Sequence, residues 1–422
     1  MAELEKIIDG VIEADVDFLD ETHKALLTNR NDYPGSVVDE LNDLIKNGLS
    51  ITGREFLIYY LFHKKGCGIP QDEFIENLNA AEGMMALHLQ YIKPNICKRP
   101  NRSVTRTIAE NIGESIGMLA LAKCFGVSNA DWDVIPESNK CMTLDFKLCV
   151  SELGTIQLET KGTAAKKINL SGPTKSILEK KRSTEKPDGN YYYGSIVAID
   201  NKRLKCYLLD PPANDEKQDL KRLMLISRMR YYNRLFSIIA PTSELISIVD
   251  ERVVMLENNA FDLNELPVLK PEKRSHFNYH SNNRPTFFFN AYYQSEGGKF
   301  GGRGFYIDES SLFFVGVTNE LLCEIVDQDV RFITRDYRAT IDKKNSGKII
   351  NDIQQDGAGV ADIDAGNSLH VKISMPINAL HRDNVGSNGH IADGKFFSID
   401  NYLDVEGELH FINGIVIGVL NY

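Results

Sequence analysis

The chain has no run of eighteen consecutive apolar residues, so no membrane-spanning helix is expected. Its opening, Met1-Ala2-Glu3-Leu4-Glu5, is acidic and lacks the basic stretch and apolar core of a secretory signal, which sets the expected location in the cytoplasm. The seven cysteines (67, 97, 124, 141, 149, 206 and 323) are scattered and include no C-x-x-C pair. A zinc knuckle or dithiol redox centre is therefore not expected, and the thiols read as small core residues in a reducing compartment. The glycine run Gly297-Gly298-Lys299-Phe300-Gly301-Gly302-Arg303-Gly304 lacks the G-K-[ST] ending of a phosphate loop and reads as a flexible hairpin tip. His23, His63 and His88 stand alone and read as structural or surface groups. His276 and His280 are four apart, but no acidic partner lies at metal-site spacing.

What is present is an ordinary globular balance, 42% hydrophobic and 25% charged over 422 residues, enough for two or three domains. The net charge of −11 is uneven along the chain. Residues 1–95 hold 8 Lys plus Arg against 17 Asp plus Glu, and residues 241–422 hold 16 against 26. Residues 96–240 reverse the sign, with 24 basic and 16 acidic groups. A basic centre between acidic flanks suits attraction to a phosphate backbone, and it equally suits attraction among the segments themselves.

Within that basic stretch, Leu144 to Gly162 reads as a β-hairpin, with apolar and polar residues alternating on both sides of Gly154. Folding about residues 152 and 153 sets Asp145 opposite residue 160. The period of two puts Glu159 and Lys161 on one face of their strand. Two carboxylates and an ammonium then converge, the minimum needed to hold a hard divalent cation beside a water or phosphate. Upstream, Thr107–Phe125 carries a helical apolar stripe with Glu110 and Glu114, Gly126-Val127 stops it, and Trp132–Pro136 reads as a strand.

An Asp on one strand and Glu-x-Lys on the next, preceded by a Glu-bearing helix and a strand, resembles the PD-(D/E)xK superfamily of restriction-endonuclease-like nucleases. The likeness covers about sixty residues, and the Pro of the motif is replaced by Leu144, a loss common in the family. The resemblance implies an α/β restriction-endonuclease-like core, a mixed sheet flanked by helices. It also implies cleavage of DNA phosphodiester bonds to leave a 5′-phosphate. Asp145 and Glu159 would bind Mg²⁺, with Mn²⁺ as a substitute and the Leu158 or Thr160 carbonyl as an extra ligand. Lys161 would orient or deprotonate the attacking water, and Glu114, or Glu110 in its place, would complete the metal shell or hold Lys161. RNA stays open as a substrate. By analogy alone, such cores serve restriction and phage defence, joined to regulatory domains. The alternative is a catalytically inactive nucleic-acid-binding or regulatory protein on the same scaffold, or a β-rich domain whose ligand is the main business.

The basic run after the hairpin contains Lys166, Lys167, Lys175, Lys180, Lys181 and Arg182, which are candidate phosphate contacts. A helix from about Asp219 to Tyr232 adds Lys221, Arg222, Arg228 and Arg230. The expected organisation is a helical domain over residues 1–95, the nuclease-like core over 96–255, a linker over 256–285 and a β-rich domain over 286–422. The acidic flanks point to self-association away from the substrate groove, and hence to a homo-oligomer.

Overall fold

Residues 11–18 repeat apolar and acidic side chains with a period of two. They form strand β1 (Val11–Phe18), burying Ile12, Ala14, Val16 and Phe18 and exposing Glu13 and Asp17. This corrects the expectation of a wholly helical first ninety-five residues. Helices α1 (Glu3–Ile8), α2 (Glu21–Leu27), α3 (Gly35–Asn47), α4 (Gly53–Phe62) and α5 (Pro70–Leu87) alternate there with β1, β2 (Leu49–Thr52), β3 (Leu89–Ile92) and β4 (Asn95–Lys98). The apolar residues around β1 coincide often enough with a helical spacing to imitate one, and burial of a single strand face decides otherwise. A capping box opens α4: Thr52 N–H donates to Glu55 at 2.9 Å, and Glu55 N–H donates to the Thr52 hydroxyl at 3.2 Å.

The computed structural model describes residues 3–31, 35–62, 70–135, 144–150, 154–164, 172, 174–177, 191–200, 202–209, 220–241, 243–258, 277–279, 285–287, 293–294, 300–318, 321–322, 325, 368–376, 380–381, 402–412 and 414–422. The chain divides into two compact units, the first mainly residues 1–238 and 249–267, the second mainly 268–329 and 338–422. No described helix is long and apolar enough to cross a membrane.

In the first unit, α6 (Arg106–Phe125) is followed by β5 (Trp132–Val134), β6 (Phe146–Val150), β7 (Gly154–Thr163), β8 (Tyr191–Ile199), β9 (Leu204–Leu209), α7 (Leu220–Ile239) and α8 (Glu244–Glu257). One seven-stranded mixed sheet takes the order β2-β1-β9-β8-β7-β6-β5. β5, β6 and β7 form an antiparallel meander, and β8 then runs parallel to β7. β1 adds in parallel beside β9, pairing Val16 with Cys206. The separate helical N-terminal domain is thereby corrected, because β1 and β2 complete the same sheet as β5 to β9.

Helix α6 begins at Thr105, whose hydroxyl accepts from Ile108 N–H, and ends at Gly126 in the left-handed region at φ 60°. It lies unusually close to β7. A Cβ on Gly162 would stand 1.5 Å from the Ala109 carbonyl oxygen, and one on Gly113 2.5 Å from the Gly162 nitrogen. Both neighbours are backbone, so neither can swing aside. Gly162→Ala should therefore separate helix from sheet and cost about 3 kcal/mol or more. Urea unfolding at an unchanged midpoint would show that the contact is looser than described.

Burial also explains the thiols. Cys124 on α6 and Cys206 on β9 are enclosed, and desolvation pushes both thiols up to about 12. About one molecule in 10⁴ then carries either thiolate at pH 8, so a thiol reagent should modify neither in the native protein. Mass spectrometry after native and denatured labelling checks this.

The second unit is β-rich, as expected. Strands β10 (Phe277–Tyr279) and β11 (Pro285–Phe287) form a small pair. β12 (Tyr293–Gln294), β13 (Phe300–Tyr306), β14 (Ser311–Thr318), β18 (Ile415–Asn421), β17 (Tyr402–Ile412) and β15 (Ser368–Pro376) form the larger sheet in that order, with β16 (Leu380–His381) beside β13. One face packs Phe300, Phe314, Val371, Met375, Leu409 and Leu420. The expected hairpin tip is corrected in part, because Phe300 to Gly304 are strand residues in register with Phe314–Thr318. His276 and His280 lie outside the described residues.

Candidate functional site

The β6–β7 register pairs Phe146 with Leu158 and Val150 with Gly154. Carried back one residue, it sets Asp145 level with Glu159, one step from the expected partner at residue 160. Asp145 and Glu159 come closer in register than the sequence reading had them, and both are buried, at 1% and 0% exposure.

Which way the side chains point follows from α6. Gly162 faces this helix, as does Thr160, whose Cγ2 would lie 3.2 Å from a Cβ on Gly117. Strand alternation then sends Glu159 and Lys161 to the other face. There Lys161 Nζ stands 2.7 Å from Glu159 Oε1, with the lysine side chain 21% exposed and the glutamate side chain fully enclosed. The register places Gly194 of β8 beside Glu159. A Cβ on Gly194 would lie 2.7 Å from Ile177, so the helical residues 174–177 cover this part of the face. Ile177 packs there with Leu19, Ile196, Ala198 and Leu209. The lysine is thus the only one of these three charged groups with appreciable access to solvent.

Asp145 is held differently. Its Oδ2 accepts from Thr160 N–H at 3.0 Å and from the Thr160 hydroxyl at 3.2 Å. Its backbone N–H donates to the Leu158 carbonyl at 3.0 Å, and its carbonyl accepts from Ile135 N–H at 3.0 Å. A buried carboxylate is tolerable only with such donors around it. Sequence reasoning missed Thr160 as a partner, because alternation sends its side chain away from Glu159. Only the placement of Asp145 just outside β6 brings its carboxylate within reach of the hydroxyl.

The third carboxylate does not join. Glu114 sits one turn beyond Asn111, whose amide donates to the Tyr60 hydroxyl of α4 at 3.2 Å. Its charge acts on Tyr60, whose hydroxyl is pushed up mainly by burial and further by Glu114. Glu114 is carried by α6, a helix covering the face of β7 opposite Glu159. Among the described residues, the carboxylates of Glu114, Asp145 and Glu159 do not gather within 4.8 Å of one another. Glu110 pairs with Arg106 at 2.8 Å one turn away.

Much of the positive charge on α7 is used internally. Arg228 is enclosed and ion-paired with the enclosed Asp131. Arg230 pairs with Asp133 and Glu257, and Arg222 donates to the Leu256 carbonyl at 3.2 Å. Asp133 also meets Lys147 at 3.4 Å. These arginines hold α7 to β5 and α8, so Arg228, Arg230 and Arg222, named among the basic groups of the sequence, serve internal contacts. Lys166, Lys167, Lys180, Lys181 and Arg182 lie outside the described residues.

The side chains of Asp145 and Glu159 offer oxygen donors only. Oxygen donors are the kind that Mg²⁺ takes, one or two carboxylates being completed by water and substrate oxygens. No family model, no curated protein and no solved structure matches the chain.

Proposed function

We propose that the protein is a metal-dependent endonuclease that hydrolyses DNA phosphodiester bonds at Asp145, Glu159 and Lys161. The observation carrying this reading is that two enclosed carboxylates stand level on neighbouring strand segments, one of them 2.7 Å from a partly exposed lysine ammonium. Helix α6, β5, β6 and β7 also follow one another in the order the resemblance requires, and β5 to β7 form one sheet. Asp145 and Glu159 would hold Mg²⁺, or Mn²⁺, which when bound supplies Lewis-acid charge at the scissile phosphate. Lys161, kept in place by Glu159, donates to a non-bridging phosphate oxygen or to the attacking water and offsets the charge gained at phosphorus. Glu114 has no role in this scheme, and water and substrate oxygens complete the shell.

A plasmid incubated with the protein and Mg²⁺ or Mn²⁺ should be nicked or linearised, and EDTA should stop it. Intact plasmid under both metals, with protein shown to be folded, would sink the reading. A second reading is favoured by the way Asp145 and Glu159 are already satisfied by Thr160 and Lys161: a scaffold that binds nucleic acid without cutting it. Retarded but uncut DNA in the same assay would select it.

A further inference from the structure

We propose that the β3–β4 hairpin, the segment leading from it into α6 and the β8–β9 turn form the surface that grips the phosphate backbone of duplex DNA; this rests on nucleic acid being the substrate, as read above. Residues 93–106 carry Lys93, Lys98, Arg99, Arg102 and Arg106 and no acidic residue. Residues 200–205 add Lys202, Arg203 and Lys205 against Asp200.

The fold brings the two segments together. Lys98 N–H donates to the Asp200 carbonyl at 3.1 Å, and the Cys97 thiol donates to the Lys202 carbonyl at 3.0 Å. Glu13 N–H donates to the Pro94 carbonyl at 3.0 Å, which ties the hairpin to β1. Arg99 N–H donates to the His88 carbonyl at 2.9 Å, and the His88 ring meets the Ser103 carbonyl at 2.8 Å. The backbone under these cations is thus set before any ligand arrives. Three of the eight serve the fold as well: Arg99 donates to the Leu89 carbonyl, Arg203 pairs with Asp15 at 2.8 Å and Arg106 with Glu110 at 2.8 Å. The other five stand against Asp200, with Lys93, Arg102 and Lys202 exposed and Lys98 and Lys205 half-buried.

Stability of the fold does not call for this charge. Like charges crowded on one surface repel. A helix N-terminus favours anions, yet α6 opens with Arg106 and has no acid in its first turn. The Arg106–Glu110 pair also runs in the less favourable order along the helix. A polyanion laid across the surface offsets each of these penalties.

The surface lies at the end of the sheet that Lys161 approaches. Gly162 meets the first turn of α6 at Ala109. Lys161 is opposite Ile196 and Ile196 opposite Tyr207, so Lys205, two residues from Tyr207, shares the face of Lys161. Two strand spacings and a step of two residues set the Cα atoms of Lys161 and Lys205 about 12 Å apart. A duplex gripped here passes the Glu-x-Lys strand.

Binding is measured apart from cleavage, by titrating full-length protein into a short labelled DNA duplex in EDTA at several salt concentrations. Combining Lys93→Ala, Arg102→Ala and Lys202→Ala should lower the log–log salt slope by about 2.7 and weaken binding in about 0.1 M salt by at least about a hundredfold. Each single variant, expected to lower the slope by about 0.9, makes the same test should the triple variant not fold. Lys24→Ala with Lys123→Ala takes cations from α2 and from the other end of α6, where Phe125 meets Tyr193, and should leave the slope unchanged. A triple variant with the wild-type slope, or with a loss no larger than that control's, would overturn the proposal. Polyglutamate that binds more tightly than the duplex and displaces it would overturn DNA as the occupant in favour of an acidic protein. Uncut plasmid together with the expected loss of slope would overturn the nuclease reading and keep this surface. Cut plasmid with an unchanged slope would do the reverse, and a duplex that wild-type protein does not bind would overturn both.

Discussion

Glu159→Gln protein is expected to lose plasmid cleavage by at least about a thousandfold while keeping its fold, and Lys161→Ala by about a hundred- to a thousandfold. The glutamine matches the glutamate in shape, so the enclosed site next to Gly194 stays filled. What disappears is one negative ligand and the 2.7 Å anchor of Lys161. The released lysine is already partly in solvent, so the structural cost is small and the two effects separate. Asp145→Asn should behave like Glu159→Gln, because its amide oxygen can take the place of Oδ2 and still accept from Thr160 N–H and hydroxyl while the negative charge is lost. Initial rates of supercoiled-plasmid loss, taken beside thermal melts, make the test. Glu159→Gln protein cutting at the wild-type rate would end the assignment, and Glu114→Gln should cleave normally, because α6 covers the face of β7 opposite Glu159.

The largest stability effect is expected at Asp131 and Arg228. Asp131 accepts from Ser128 N–H at 2.8 Å and the Ser128 hydroxyl at 2.9 Å with one oxygen, and pairs with Arg228 through the other. Both side chains are almost fully enclosed. Removing one partner of such a pair leaves a charge stranded in a low-dielectric interior, at a cost of about 3–5 kcal/mol. Arg228→Ala should therefore lower Tm by roughly 10 °C in a unit of this size. Replacing both partners together, Asp131→Asn with Arg228→Met, should recover much of the loss, since no charge is then left alone. A double variant as unstable as the sum of the two single ones would mean that the pair is not coupled as described.

The sequence alone determined those elements whose signals are local. The apolar stripe of α6 and its Gly126 stop, and the alternation of β7, each follow from spacing within a few residues. The pairing of the strands that carry Asp145 and Glu159 was legible to within one residue of register for the same reason, because a short hairpin leaves few registers to choose among. Tertiary structure decided what depends on residues far apart in the chain. β1 is a strand because β9, nearly two hundred residues later, offers an edge and α3 and α4 cover its apolar face. Gly113 and Gly162 let α6 settle on one face of β7, which fixes the helix's rotation. Arg228 binds Asp131 rather than solvent because α7 packs where β5 begins. Thr160 meets Asp145 because the strand ends one residue before the carboxylate is reached. Spacing specifies the face on which a side chain starts, and only long-range packing sets the partner it finds there.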